Sequence, residues 1–345
     1  MSERTDNTRT MILRNIGAFN DPRAAQIAEQ AGISRQAVYK HLRALVAEGL
    51  VEQKGSSSKR EYDLPILNRL ERIFSLKGLD ETFAWQEIAV PFLDDIATEE
   101  RKICQFGFTE MVNNAIDHSE GTQMTAKIKR TSVSVAMSIE DDGIGIFEKI
   151  AAALELSDPR LAILELSKGK FTTDASRHSG EGIFFTSRMF DIFIVRSKLL
   201  RFIHHNFLGP GQEDWLVEEE QKNTPGTQFF MELFMPTDRT MESVFQQHTD
   251  DDSAFSRTHV PLTLAQIGKD FLISRSQARR VLSRFDRFKE VMLDFAGVPT
   301  IGQAFADEIF RVFKRQKPEI RVVHMNANPQ VSRMIKRAQA AETNE

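Results

Sequence analysis

Between residues 11 and 45 apolar positions recur at helical intervals: Met11, Ile12 and Ile16, then Ala24, Ile27 and Ala28, then Val38, His41 or Leu42, and Leu45. Spacings of three and four predict three short helices, each burying one face. Asn20-Asp21-Pro22 separates the first two. Ala31-Gly32 ends the second, because glycine accepts the left-handed backbone of a tight turn, and Ser34 is a natural N-cap for a third helix over 35–48. VEQKGSSSKREYDLP then alternates like a hairpin with its tip in the Lys-Gly-Ser-Ser-Ser-Lys-Arg run.

Further along, QFGFTEMVNNAIDHSE (105–120) has a helical period that sets Glu110 and Asn114 one turn apart on the same face. SVSVAMSIE alternates as a strand into the turn DDGIGIF. A long segment to Ser179 leads to SGEGIFFTSRMFD, which opens a helix, and NTPGTQFFMELFMP puts Gly226-Thr227 at the head of a strand. After an acidic, polar run at 248–259, VMLDFAGV and IRVVHMNA read as buried strands, each followed by a helix (AFADEIFRVFKR, VSRMIKRA). That alternation predicts a parallel α/β unit. The expected organisation is a multidomain α/β chain: a helical unit over 1–64, a central domain over 65–240, a linker over 241–259, and a C-terminal α/β domain over 260–345.

Composition narrows the picture. A chain of 345 residues exceeds what one core organises. Hydrophobic content of 41% and charged content of 27% are those of a soluble protein. With no secretory or membrane-spanning stretch in sight, a cytoplasmic location is expected. Cys104 is the single cysteine, and the eight histidines form no H-x-x-x-H pair, so no structural metal is expected. The net charge of −4 requires any nucleic-acid contact to come from a local basic surface. Residues 1–62 hold ten Lys/Arg against seven Asp/Glu. The third helix turns Arg35, Gln36, Tyr39, Lys40 and Arg43 outward, and Lys59 and Arg60 stand at the hairpin tip.

This arrangement resembles the small bacterial winged helix-turn-helix regulators. The resemblance implies that the third helix enters the major groove, with Arg and Gln reaching base edges and Lys and Tyr holding phosphates. DNA is the expected partner; a protein-docking module with a solvated charged face is the alternative.

In the central domain, Glu110-x-x-x-Asn114-Ala115-x-x-His118, Asp141-x-Gly143-x-Gly145-Ile146, Gly180-x-Gly182-Ile183 and Gly226-Thr227 follow one another over about 80–236. This order resembles the GHKL nucleotide-binding family, which includes gyrase B, MutL, the heat-shock chaperones, histidine kinases and anti-sigma-factor serine kinases. The resemblance implies a Bergerat α/β sandwich that binds ATP with Mg²⁺. Asn114 would offer its amide oxygen to the cation, and Glu110 would act as general base. Asp141 would accept from the adenine amino group, where guanine presents a carbonyl. Gly143 and Gly145 would let backbone approach the base, and Gly180 and Gly182 would open a helix N-terminus toward phosphate. Arg177, with His178, would add positive charge. Asp117 is counted with the nucleotide-binding residues, Thr227 would touch the base or a water, and His118 is read as a capping or packing residue. The insert from Phe147 to Ser179, carrying Lys168-Gly169-Lys170, is expected to be a lid over the triphosphate, with IAAALEL as packing.

At the C-terminus, Leu293-Asp294-Phe295, Gly297-Val298, Ile301-Gly302 and Phe305-Ala306-Asp307-Glu308 resemble a STAS-like domain of unknown function, kin to the anti-anti-sigma fold. Where that fold often has a phosphorylatable serine, this chain has Gln303-Ala304, and Thr300 is the nearest hydroxyl. The domain is therefore expected to bind a protein partner or to sense. One puzzle remains in the repeat of Ala-Gln-Ile and Ile-Ser-Arg at 25–27 and 33–35 and again at 265–267 and 273–275. The second copy lacks the Ala-Gly turn, having Phe271-Leu272 instead, but retains Arg275, Arg279, Arg280 and Arg284 as a candidate basic face. The leading expectation is a homodimeric, ATP-binding, DNA-binding transcription regulator. The alternative is an anti-sigma-type serine/threonine kinase or ATPase acting on a separate partner.

Overall fold

The computed structural model describes residues 3–55, 60–171, 180–206, 214–250, 252, 254–266 and 271–340. Helices α1 (Glu3–Phe19), α2 (Ala24–Ala31) and α3 (Arg35–Ala47) form the N-terminal unit, with a short antiparallel pair, β1 (Glu52–Lys54) and β2 (Glu61–Asp63). Its core is the stripe read from the sequence, with Ile12, Ile16, Ile27, Val38, Leu42 and Leu45 all buried. Gly32 takes the left-handed conformation (φ 61°) and its N–H returns to the carbonyls closing α2. Ser34 Oγ then accepts from the Ala37 N–H at 3.2 Å to start α3.

The central domain is a five-stranded antiparallel sheet in the order β3 (Asn68–Ser75), β4 (Gln123–Arg130), β5 (Ser134–Asp141), β7 (Asp214–Phe234), β6 (Ile192–His205). Helix α4 (Glu81–Ile88) and the long α5 (Thr98–His118) pack with α8 (Gly182–Met189) on this sheet. The buried line Ile103, Cys104, Phe108, Met111, Val112, Ala115 fixes the rotation of α5 and leaves the Glu110–Asn114 edge outside the core. Burial pushes the Cys104 thiol up to about 12, so it acts as a small apolar side chain.

Two expectations change here. The insert expected as a polar lid contains helices α6 (Ile146–Ala153) and α7 (Arg160–Lys168), and Leu161 to Lys168 are all buried. The segment expected as a linker over 241–259 holds helix α9 (Met241–His248) and the start of strand β8 (Arg257–Pro261). Its acidic residues obscured two aromatic anchors. Phe245 meets Phe185 at 4.4 Å between ring centroids, and Phe255 meets Phe184 at 4.5 Å and Phe288 at 5.4 Å. The hydrophobic core therefore runs without a break from the central into the C-terminal domain.

That last domain is a three-stranded parallel sheet, β8 with β9 (Glu290–Asp294) and β10 (Arg321–Met325), in the order β10-β9-β8. Around it pack α10 (Arg275–Leu282), α11 (Gln303–Asp307) continuing through a π-helical turn into α12 (Lys314–Gln316), and α13 (Pro329–Ala340). The Thr300 hydroxyl accepts from Gln330 Nε2 at 3.1 Å. Among the described residues before the second Ile-Ser-Arg copy, Leu262–Ala265 form a 3₁₀ turn and Gln266 is extended, where the first copy has the start of helix α2. The arginines of the second copy are not one open basic face: Arg279 pairs with Glu308 at 2.7 Å, and Arg284 turns inward to Glu165 at 3.0 Å. No described helix is long and apolar enough to cross a membrane.

Candidate nucleotide site and nucleic-acid interface

Because α5 presents every fourth residue to the same side, Glu110, Asn114 and His118 line one wall of a cavity of about 230 Å³. Asp141 at the end of β5, Gly145 at the start of α6, Thr227 and Phe229 of β7, and Gly180 and Gly182 at the start of α8 complete it. Residues as far apart in sequence as Glu110 and Phe229 thus meet around one space.

Asp141 is buried, and its Oδ1 accepts from the Gly143 and Thr227 N–H groups at 2.9 and 3.2 Å. Oδ2 takes no hydrogen bond from the described residues. Desolvation raises its pKa above the usual aspartate value; the two backbone donors act against that, and the neighbouring Asp142 and Glu140 add to it. Asp142 does a different job. It accepts from Thr122 N, Thr122 Oγ1 and Gln123 N at 2.6, 2.7 and 3.0 Å, which fastens the loop before β4 and holds its own carboxyl low.

Asn114 donates through Nδ2 to the Glu110 carbonyl at 2.7 Å, which orients the amide and leaves Oδ1 as its acceptor. That is the end a hard cation needs. Among the described residues no trio of His, Cys, Asp and Glu could hold a metal alone, so a Mg²⁺ here would share its shell with phosphate and water. Gly182 approaches the Glu110 carboxylate so closely that a Cβ would overlap Oε2. The general-base candidate and the candidate phosphate-facing helix N-terminus are therefore neighbours.

Two expected residues, Asp117 and Gly143, do not line the cavity. Asp117 lies on the exposed side of α5, one position off the 110–114–118 line, and does not line the cavity. Gly143 is also outside the lining, and its missing Cβ makes room for the Ser119 carbonyl. Gly145 (φ 92°) and Gly226 (φ 62°) likewise let backbone close around Ser197 and Asp141. Arg177 lies outside the described residues.

The structure adds residues the sequence reading missed. Lys149 of α6 lines the cavity and donates from Nζ to the His118 carbonyl at 2.7 Å, placing a cation on the C-terminal end of α5. Ile146 receives its place from the Thr227 hydroxyl, which accepts the Ile146 N–H at 2.9 Å. Leu166, Phe171 and Phe184 form apolar wall. Apart from Ile146, which closes the Asp141-x-Gly143-x-Gly145-Ile146 run, none of these carries a motif; only proximity in space marks the others.

At the other end of the molecule Arg35, Gln36, Lys40 and Arg43 are exposed along α3, and Tyr39 is 47% exposed. Arg60 is exposed too, whereas Lys59 at the hairpin tip lies outside the described residues. Helix α1 seats this unit on the central sheet. Arg14 donates to the Pro236 carbonyl at 2.8 Å, and a Cβ on Gly17 would stand 2.7 Å from the Phe234 ring. Strand β7 therefore carries cavity residues Thr227 and Phe229 within its length and the seat of α1 at its C-terminal end, Phe234.

Comparison with known families agrees with this division. Residues 5–60 match the MarR family, residues 101–237 the histidine kinase-, DNA gyrase B- and HSP90-like ATPases, and residues 277–332 a STAS-like domain of unknown function. No curated protein matches the chain. The chain joins in one polypeptide a MarR-type winged helix, a GHKL ATPase domain and a C-terminal STAS-like domain.

Proposed function

We propose that this protein is an ATP-responsive, DNA-binding transcription regulator, in which the nucleotide state of the central domain governs the assembly or partner contacts of the chain. The observation that carries the reading is strand β7, which joins the cavity at Thr227 to the seat of the winged helix at Phe234. Adenine would be read by Asp141, whose Oδ2 is the acceptor that a 6-amino group requires; the guanine carbonyl would face a carboxylate and be rejected. Asn114 would hold Mg²⁺ through Oδ1, and the cation would neutralise phosphate charge. Glu110 would orient and deprotonate the attacking water. The α3 face with Arg35, Gln36, Tyr39, Lys40 and Arg43, together with Lys59 and Arg60 of the hairpin, would meet DNA. The chain would act as a homodimer on a symmetric operator, with the STAS-like domain free to engage a protein.

A transfer reading rests on Glu110 itself: a carboxylate in that place can also activate a protein hydroxyl, as a serine/threonine kinase requires. Mobility shifts of genomic fragments with and without Mg·ATP test the regulator. Nucleotide-dependent retention is expected. Transfer of labelled phosphate to another protein, with no DNA retained at low salt, would move the assignment to the kinase.

A further inference from the structure

Helix α7 ends in a place unlike a flexible lid. Lys168 is 0% exposed. Its ammonium donates to Glu165 Oε1 at 2.6 Å and, across to the C-terminal domain, to the carbonyls of Arg280 and Ser283 at 3.1 and 3.0 Å. Those carbonyls close α10, where a helix leaves its last acceptors unsatisfied and carries its negative dipole end. Arg284 follows in the left-handed conformation (φ 64°), which turns its guanidinium back onto α7. It donates to Glu165 Oε2 at 3.0 Å and to the carbonyls of Glu165 and Gly169 at 3.2 and 2.7 Å. Thr258 takes the Lys168 carbonyl at 2.8 Å, and Arg287 the Lys170 carbonyl at 2.6 Å. Lys170 returns a bond to the Arg287 carbonyl at 2.8 Å.

The carbonyls of Glu165, Lys168, Gly169 and Lys170 are thus all held by side chains of one other domain. The same six-residue stretch carries the cavity wall. Leu166 lies inside it and Phe171 directly follows it, and both face the cavity. Phe171 also receives the Arg284 guanidinium 5.3 Å from its ring centre, and its backbone fills the space a Cβ on Gly180 would need. A continuous chain of contacts therefore runs from α10 through Arg284 and Phe171 to the first glycine of the Gly180-x-Gly182 turn.

We propose that the STAS-like domain is a clamp on the wall of the nucleotide site: docking of Arg284 and the α10 carbonyls on α7 sets the position of Leu166 and Phe171, so that nucleotide binding and C-terminal domain docking are thermodynamically coupled. The coupling rests on the reading of the cavity as a nucleotide site; the clamp itself does not. Buried charges restrict the joint to few arrangements, because a shifted domain strips Lys168 of the Arg280 and Ser283 carbonyls and Glu165 of Arg284, leaving only the pair the two make with each other. Linkage makes the effect reciprocal: a nucleotide that favours one wall position also tightens the joint. Arg284 is a positioning residue, acting through Phe171 and α7.

The test is hydrogen exchange with titration of a fluorescent ATP analogue. In nucleotide-free protein, Arg284→Ala is expected to speed amide exchange at 163–171, and Arg284→Lys to restore part of the protection. In wild type, nucleotide is expected to slow exchange at 278–287, and Arg284→Ala to weaken analogue binding by about tenfold. Should Arg284→Ala prove unfolded by circular dichroism, Arg287→Ala removes only the surface bond and must speed exchange at 168–171. Arg321→Ala, an exposed arginine paired with Glu290 at the same domain's edge, is expected to change none of these. Unchanged exchange at the α7 end in the folded variant overturns the clamp. Nucleotide binding that leaves 278–287 unaltered overturns the coupling while leaving the nucleotide site standing; wild type that binds no nucleotide overturns the cavity reading, with the clamp still decided by the nucleotide-free comparison.

Discussion

The Glu110 carboxylate occupies the space that a Cβ on Gly182 would need. Gly182→Ala must therefore displace Glu110, the turn into α8, or both. A displacement near 1 Å at a reacting group costs on the order of 10²-fold in rate. ATP turnover is expected to fall by that order in Gly182→Ala, and Glu110→Ala to lose about 10²–10⁴-fold. Steady-state phosphate release beside analogue binding checks both, and a Glu110→Ala protein that hydrolyses at the wild-type rate removes the general-base role.

Asp141 opposes stability and serves binding. Burial holds its folded-state pKa above the unfolded value, so the folded protein binds the proton more tightly and the stability linked to this group is lost as pH rises through that pKa. Asp141→Asn removes a buried charge while its amide oxygen can keep the Gly143 and Thr227 donors. The variant is expected to melt higher at neutral pH and to bind ATP more weakly by about 1.5–3 kcal/mol, the usual worth of a hydrogen bond to a charged group. In wild type, ATP affinity is expected to decline on acidification at a pH above that of an ordinary aspartate, as a calorimetric titration across the acid range would report.

Lys168 predicts an alkaline signature. Desolvation lowers its pKa to about 8, with Glu165 working in the opposite direction. From there to the free-lysine value of 10.5 the unfolded chain holds more protons than the folded one, so stability is expected to rise with pH across that window. Urea unfolding at several pH values, wild type against Lys168→Met, isolates the contribution: the variant should lack that part of the slope.

The exposed α3 face predicts two kinds of DNA defect. Lys40→Ala is expected to weaken binding evenly across sequences and to reduce the slope of log K against log salt by about 1. Arg35→Ala is expected to cost about 1–3 kcal/mol at one base position and relax preference there. Mobility shifts over a salt series on a selected operator and on scrambled DNA separate the two.

Much of the site was legible because helix and turn geometry are local. Glu110, Asn114 and His118 are spaced four positions apart, and the α-helical repeat alone brings all three to one wall. The Ala31-Gly32 turn and the Ser34 cap were equally plain, since each depends on a neighbour or two. That Asp117 does not line the cavity was not legible, since the rotation of α5 is set by what Ile103, Phe108 and Met111 bury. The acidic run near 250 hid Phe255, since a linker and an aromatic anchor among polar residues have the same composition.

By itself, then, the sequence determined three domains, their order and the local pairs of chemistry within them. Tertiary structure alone decided where the longer side chains go. Lys168 and Lys170 were expected on a lid over the triphosphate, yet they end on carbonyls of the C-terminal domain, and Arg284 leaves a basic face to join Glu165. A lysine or arginine carries its charge on a flexible stem whose direction no neighbouring residue dictates; only the packing of one domain on another selects it.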